Sequence, residues 1–128
     1  MTLITGGAYS GKTEFAIQNF NIKPTDIIDG AECSLEQVFA CRAIRNFHLL
    51  VKRFGNDGGA ALTERIHQEN PDLIVITNDI GSGIIPMEKS DRIWREETGR
   101  ACCTAAGFSD LVVRMCCGIP TAIKGELP

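Results

Sequence analysis

Gly6-Gly7-Ala8-Tyr9-Ser10-Gly11-Lys12-Thr13 spells G-x-x-x-x-G-K-[ST], and its flanks decide how it is read. The apolar run Thr2-Leu3-Ile4-Thr5 precedes it and Glu14 to Phe20 follows with a helical pattern, so strand, loop and helix stand in the order a phosphate-binding loop requires. Glycines let successive backbone N–H groups turn inward around an oxyanion, and a helix starting near Lys12 adds about half a positive charge at its N-terminus. Gly6, Gly7, Ala8, Tyr9, Ser10, Gly11, Lys12 and Thr13 are therefore expected to cradle ATP or GTP. Lys12 would reach the β- and γ-phosphates, and the Thr13 hydroxyl would take one position on Mg²⁺. The competing reading is a glycine-rich turn that contains a lysine, and the flanks count against it.

Composition narrows the partners. A chain of 128 residues suits a single domain, spanning 1–128, with its own core. Thirteen Lys and Arg face sixteen Asp and Glu, spread rather than clustered, which argues against nucleic acid as the main partner. No secretory pattern precedes the first strand and no apolar run approaches a membrane span, so a cytoplasmic protein is expected. Of the six cysteines, four form the adjacent pairs Cys102-Cys103 and Cys116-Cys117, while Cys33 and Cys41 stand apart. Neither zinc spacing nor a disulfide framework emerges, and small buried hydrophobes kept reduced are expected.

Along the chain, strand-like runs alternate with helical patterns, as in an α/β domain. Asp26-Ile27-Ile28-Asp29-Gly30 reads as a very short strand ending in an acid. Ser34-Leu35-Glu36-Gln37 is a capping box, and Ala40, Ile44, Phe47, Val51 and Phe54 follow at steps of four and three, which predicts one long amphipathic helix closed at Gly55. A short helix around Ala61 to Ile66 ends before Pro71. Asp72 to Asn78 is a continuous β-branched run and the expected central strand, and its C-terminal end runs into the loop Asp79 to Pro86. Ser90 is placed as the cap of a helix through Ala105, with a break at Gly99. Leu111 to Cys117 is a further strand, and Pro120 puts the last strand, Thr121 to Lys124, at the sheet edge. The whole predicts a P-loop NTPase-like, mostly parallel sheet flanked by helices.

Chemistry beyond the loop rests on acids at strand ends. Asp29 and Asp79 both suit a carboxylate that holds Mg²⁺ or activates a hydroxyl, and either also suits a plain turn. Arg92, Arg95 and Arg100 share one helical segment, as phosphate clamps or as solvated arginines. His48 and His67 have no neighbouring nucleophile or acid pattern and are read as surface or partly packed residues.

Thr5-Gly6-Gly7-Ala8-x-Ser10-Gly11-Lys12, then Thr77-Asn78-Asp79-Ile80-Gly81-x-Gly83-Ile84-Ile85-Pro86, then Arg92-x-Trp94-Arg95-Glu96-x-x-Gly99-Arg100, and finally Gly118-Ile119-Pro120 to Lys124, resemble the bifunctional adenosylcobinamide kinase and adenosylcobinamide-phosphate guanylyltransferase family of cobalamin biosynthesis. The resemblance implies a P-loop α/β fold, often trimeric, that phosphorylates the aminopropanol hydroxyl of adenosylcobinamide, a corrinoid, and then transfers GMP to that phosphate. It raises Asp29 as a metal or base residue, because the family has an acid ending a strand there. Three departures stand out. The family's segment with the guanylylated histidine, between the first helix and the strand ending at Asp29, is missing. Cys102-Cys103 replaces an Asn-Gln pair, and Tyr9 replaces the loop arginine. Glu64-Arg65-Ile66-His67 looks like the histidine stretch but stands in the wrong chain order.

Three functions follow. One is a reduced enzyme that keeps phosphoryl transfer to a cobinamide-type hydroxyl, using Lys12 with Asp29 or Asp79, rather than guanylyl transfer. The others are a non-catalytic nucleotide-binding or sensing module and a small-molecule kinase with a different substrate.

Overall fold

A computed structural model describes residues 1–80 and 88–128. Within them lie the strands β1 (Thr2–Gly6), β2 (Ile27–Asp29), β3 (Ala43–Arg45), β4 (Ile74–Asn78), β5 (Leu111–Cys116) and β6 (Ile119–Lys124). The helices are α1 (Lys12–Asn19), α2 (Leu35–Ala40), α3 (Phe47–Phe54), α4 (Gly59–Glu69) and α5 (Lys89–Phe108). The expected loop residues Gly81 to Pro86 lie outside the described residues.

The strands form one sheet in the order β2-β3-β4-β1-β5-β6. β1 is inside it, parallel to β4 on one side and β5 on the other, with Thr2 opposite both Ile74 and Leu111. Only β6 runs antiparallel, on the edge beside β5. The α/β fold with a mostly parallel, helix-flanked sheet is thus what the chain forms, and it fits a P-loop NTPase-like fold.

Strand alternation explains the two cores. Leu3, Ile44, Val75 and Val112 point to one face and pack with Phe47, Leu50 and Val51 of α3, Ile66 of α4 and Ala105 of α5. Ile4, Ala43, Ile76 and Val113 point to the other and pack with Phe15 and Ala16 of α1. Because both faces are covered, the strands carry uninterrupted apolar runs. Among the described residues, no helix is long and apolar enough to cross a membrane.

The long helix predicted from Ser34 to Phe54 does not form. The capping box does: Gln37 N–H donates to Ser34 Oγ at 3.2 Å and Ser34 N–H to Gln37 Oε1 at 2.9 Å. The helix it starts, α2, stops at Ala40, and Ala43-Ile44-Arg45 becomes β3, slotted between β2 and β4. Ala43 and Ile44 are fully buried on opposite faces of the sheet. Burial of a β-branched residue between two strands outweighs the propensity of an isolated helical segment. Asn46, in the left-handed region at φ 56°, turns the chain from β3 into α3.

Two smaller expectations change. α5 runs through Gly99 without a break, where a Cβ would meet open space, and Glu88 rather than Ser90 holds its N-cap position. The cysteines are all free thiols, but only Cys33 is buried; Cys103, Cys116 and Cys117 are exposed. Thiols at a strand end and turn have no facing layer to cover them.

Candidate functional site

The loop expected to bind phosphate is built by backbone geometry. It leaves β1 at Gly6 and enters α1 at Lys12, with Tyr9 at φ 59° and Gly11 at φ 92°. Glycine suits position 11, because a side chain in that left-handed conformation is strained. Such alternation of backbone conformation aims N–H groups into a common concavity. The loop is fastened from outside by Gly118 N–H in the β5–β6 turn, which donates to Ser10 O at 3.0 Å. Tyr9, in the place where the resembled family has arginine, projects fully into solvent.

Lys12 is buried, and its ammonium donates to Gly7 O and to Ser10 Oγ. Burial pulls its pKa below the ordinary lysine value, against an opposing push from Glu14. The amine is therefore held inside the loop on backbone and hydroxyl acceptors that a phosphate oxygen would replace.

Beside the loop opens a cleft of about 350 Å³. Lys12, Thr13 and Glu14 line one side of its surface, and Arg45, Asn46 and Asn78, from the C-terminal ends of β3 and β4, complete it. Ligands of open α/β sheets bind in this position, beyond the carboxyl ends of the strands.

Asp29 stands one strand further out than Arg45. Its Oδ1 accepts from Ala31 N–H and from Asn46 Nδ2, both at 2.9 Å, and its Oδ2 lies 3.4 Å from the Arg45 guanidinium. Burial pulls the carboxyl pKa up, but the bonds from Asn46 and Ala31 and the charges of Arg45 and Arg53 outweigh it, so it lies below the ordinary value. Gly30 makes the arrangement possible: a Cβ there would lie 2.4 Å from Asn46 O. Its N–H donates to Arg45 O at 2.8 Å, locking β2 onto β3. Asp29 thus meets the cleft through Asn46 and Arg45, not by lining it.

Asp79 follows β4, and its N–H donates to Gly6 O at 2.9 Å. It borders a depression of about 290 Å³ with Gly7, Ser10, Arg114, Cys116 and Cys117, and a cavity of about 130 Å³ with Arg95, Thr98 and Cys102. Among the described residues, Asp79 lines these two, whereas Asp29 lines a separate depression of about 330 Å³ with Ile28, Glu32, Cys33 and Gln37. Of the arginines of α5, Arg95 lines the cavity of about 130 Å³ beside Asp79. Arg100 pairs with Glu97 at 3.2 Å, Glu97 also accepts Gly59 N–H, and Arg92 is exposed.

His48, read from sequence as a surface or partly packed residue, is buried. Its Nδ1 accepts Asn78 N–H at 3.2 Å, and its carbonyl accepts the Trp94 indole N–H at 2.7 Å. The two rings stack at 6.3 Å, and Lys52 lies over Trp94. Burial, followed by the charge of Lys12, moves the His48 pKa from its ordinary 6.5 down to about 4, against a weaker pull from Asp29. A neutral imidazole therefore ties α3 to the end of β4 beside the cleft. His67 stacks on Phe108 at 4.0 Å and serves packing between α4 and α5. Arg45, Asn46 and His48 are the site residues that sequence reasoning missed.

A family model described as cobinamide kinase / cobinamide phosphate guanyltransferase matches residues 38–123. The match begins within α2 and runs into β6, taking in Arg45, Asn46, His48, Asn78 and Asp79. It does not include residues 6–13, where the sequence motif predicts a phosphate-binding loop. No curated protein matches the chain.

Proposed function

This chain belongs to the cobinamide kinase / cobinamide phosphate guanyltransferase family, and we propose that it retains the kinase half of that chemistry. In this reading it binds ATP or GTP and phosphorylates the hydroxyl of a cobinamide-type corrinoid. The observation that carries the proposal is the loop of residues 6–13, with Lys12 held on Gly7 O and Ser10, opening onto a cleft that the C-terminal ends of β3 and β4 complete.

Phosphoryl transfer asks little covalent chemistry of a protein and much positioning. Loop amides and the α1 N-terminus receive the phosphate oxygens, and Lys12 leaves Gly7 O to stabilise charge on the transferring group. A bound Mg²⁺ would supply positive charge to the phosphates. Oxygen donors suit that hard cation: Thr13 has a hydroxyl inside the cleft, and Asp29, which meets the cleft through Asn46 and Arg45, would add Oδ2 once its 3.4 Å ion pair to Arg45 is released. Asp79, on the other flank of the loop, is the alternative residue to orient the acceptor hydroxyl.

Guanylyl transfer through a covalent histidine finds less support. His48 has Nδ1 engaged by Asn78, and His67 is stacked on Phe108 between helices. Incubating the purified protein with adenosylcobinamide, Mg²⁺, ATP and GTP, then weighing the corrinoid by mass spectrometry, tests the reading. A gain of one phosphate is expected. A product carrying GMP would overturn the division between the two activities, and unmodified corrinoid despite measured nucleotide binding would favour a non-catalytic module or another acceptor.

A further inference from the structure

Among the described residues lining the cleft, only Lys12 and Arg45 are cations. They are held differently. Lys12 is buried in the loop, whereas the Arg45 side chain is half exposed and meets Asp29 through one contact at 3.4 Å. Such a single long contact at a solvated site is a weak restraint. Asp29 does not depend on it, because Asn46 and Ala31 N–H already hold its other oxygen. The guanidinium is thus parked on a carboxylate that can spare it, at the mouth of a cleft whose opposite wall is a phosphate loop.

We propose that Arg45 is a second phosphate ligand of the cleft, which on loading leaves Asp29 for the phosphate tail of the nucleoside triphosphate. The inference rests on the nucleotide-binding reading and deepens it. Guanidinium fits phosphate with two parallel N–H donors, a better match than its single contact to Asp29. The exchange breaks one ion pair and forms another, with no proton moved. It also clears Asp29 Oδ2 of its cationic neighbour, so the same event that adds a cation to the phosphates frees an acid to face Mg²⁺. Asn46 keeps Asp29 in place while Arg45 moves, since their bond uses Oδ1.

Calorimetric titration of the full chain with ATP and with GTP, each against the parent nucleoside and with and without Mg²⁺, tests this. Arg45→Ala should weaken triphosphate binding about tenfold or more and leave nucleoside binding unchanged. Arg45→Lys, which keeps the charge but not the fork, should recover only part of the loss. Asp29→Asn should tighten Mg²⁺-free triphosphate binding a few-fold, because Arg45 is released. Wild-type affinity in Arg45→Ala alongside lost affinity in Lys12→Met would overturn the role of Arg45 and leave the loop standing. Wild-type affinity in both would overturn the loop reading and the inference with it. If Arg45→Ala fails to fold, the Lys variant and the sign of the Asp29→Asn effect decide.

Discussion

Replacing Lys12 by methionine keeps the buried aliphatic stem of the side chain and removes only the ammonium that reaches Gly7 O and Ser10 Oγ. A hydrogen bond to a charged group contributes about 1.5–3 kcal/mol. Taking about 2.3 kcal/mol for the lost contact to phosphate gives a roughly 50-fold rise in Kd. The consequence can be read as a thermal shift. With ligand at about 100 times the wild-type Kd, the native state gains about 2.7 kcal/mol, and in the variant the same concentration gives about 0.7 kcal/mol. For a chain of this size each kcal/mol moves Tm by about 4 °C. The triphosphate should therefore raise the wild-type Tm by about 10 °C and that of Lys12→Met by about 3 °C, measured by scanning fluorimetry at fixed nucleotide. Equal shifts in the two proteins would refute the assignment of Lys12 to the phosphates.

Other perturbations report on the scaffold around the loop. The His48 pKa is depressed on folding, from 6.5 to about 4, so the unfolded chain binds the extra proton first as pH falls and stability declines across that window. The lowered Asp29 carboxyl is lost only below the ordinary carboxylate value, under the His48 window. Urea midpoints between pH 6.5 and 4 should accordingly fall in the wild type and flatten in His48→Gln, whose amide oxygen can still accept Asn78 N–H; an unchanged slope would show that another group titrates. Gly30→Ala drives a Cβ against Asn46 O and Arg45 O, both backbone atoms, and should cost about 1–3 kcal/mol by denaturant melt. The same variant should also weaken triphosphate binding, since it disturbs the link between β2 and β3.

The parts of the site legible in sequence are those whose chemistry is local. A phosphate-binding loop is eight consecutive residues whose glycines and lysine act within one turn, and the strand before it and helix after it are read from the same window. β3 is the opposite case. Three residues leave almost no period to detect, and Ile44, Phe47 and Val51 have a spacing that a helix satisfies equally well. What makes 43–45 a strand is the pairing of Ala43 and Ile44 with Ile74 and Val75, some thirty residues on. Everything carried by β3 was hidden with it: Arg45 and Asn46 fell inside the expected long helix, and His48 with them. The same misreading left Asp29 as an isolated strand-end acid, when its carboxylate is held by the residues that follow β3.

Once β3 is in place, the cations of the cleft prove to be already satisfied by the protein. Lys12 rests on Gly7 O and Ser10 Oγ, Arg45 rests on Asp29, and Asp29 is saturated on its other oxygen. Binding is then an exchange of acceptors rather than the filling of vacant donors, and each exchange yields only the difference between phosphate and the group it displaces. In the proposed reading a triphosphate brings more negative charge to these two cations than a monophosphate does. If both cations move to phosphate as proposed, a triphosphate should bind more tightly than a monophosphate, and loss of either cation should narrow that difference. Parking also keeps the empty cleft from being a bare cationic patch open to any passing anion. In the proposed reading the β2–β3 pair supplies the second phosphate cation, at the one place where the sequence looked least informative.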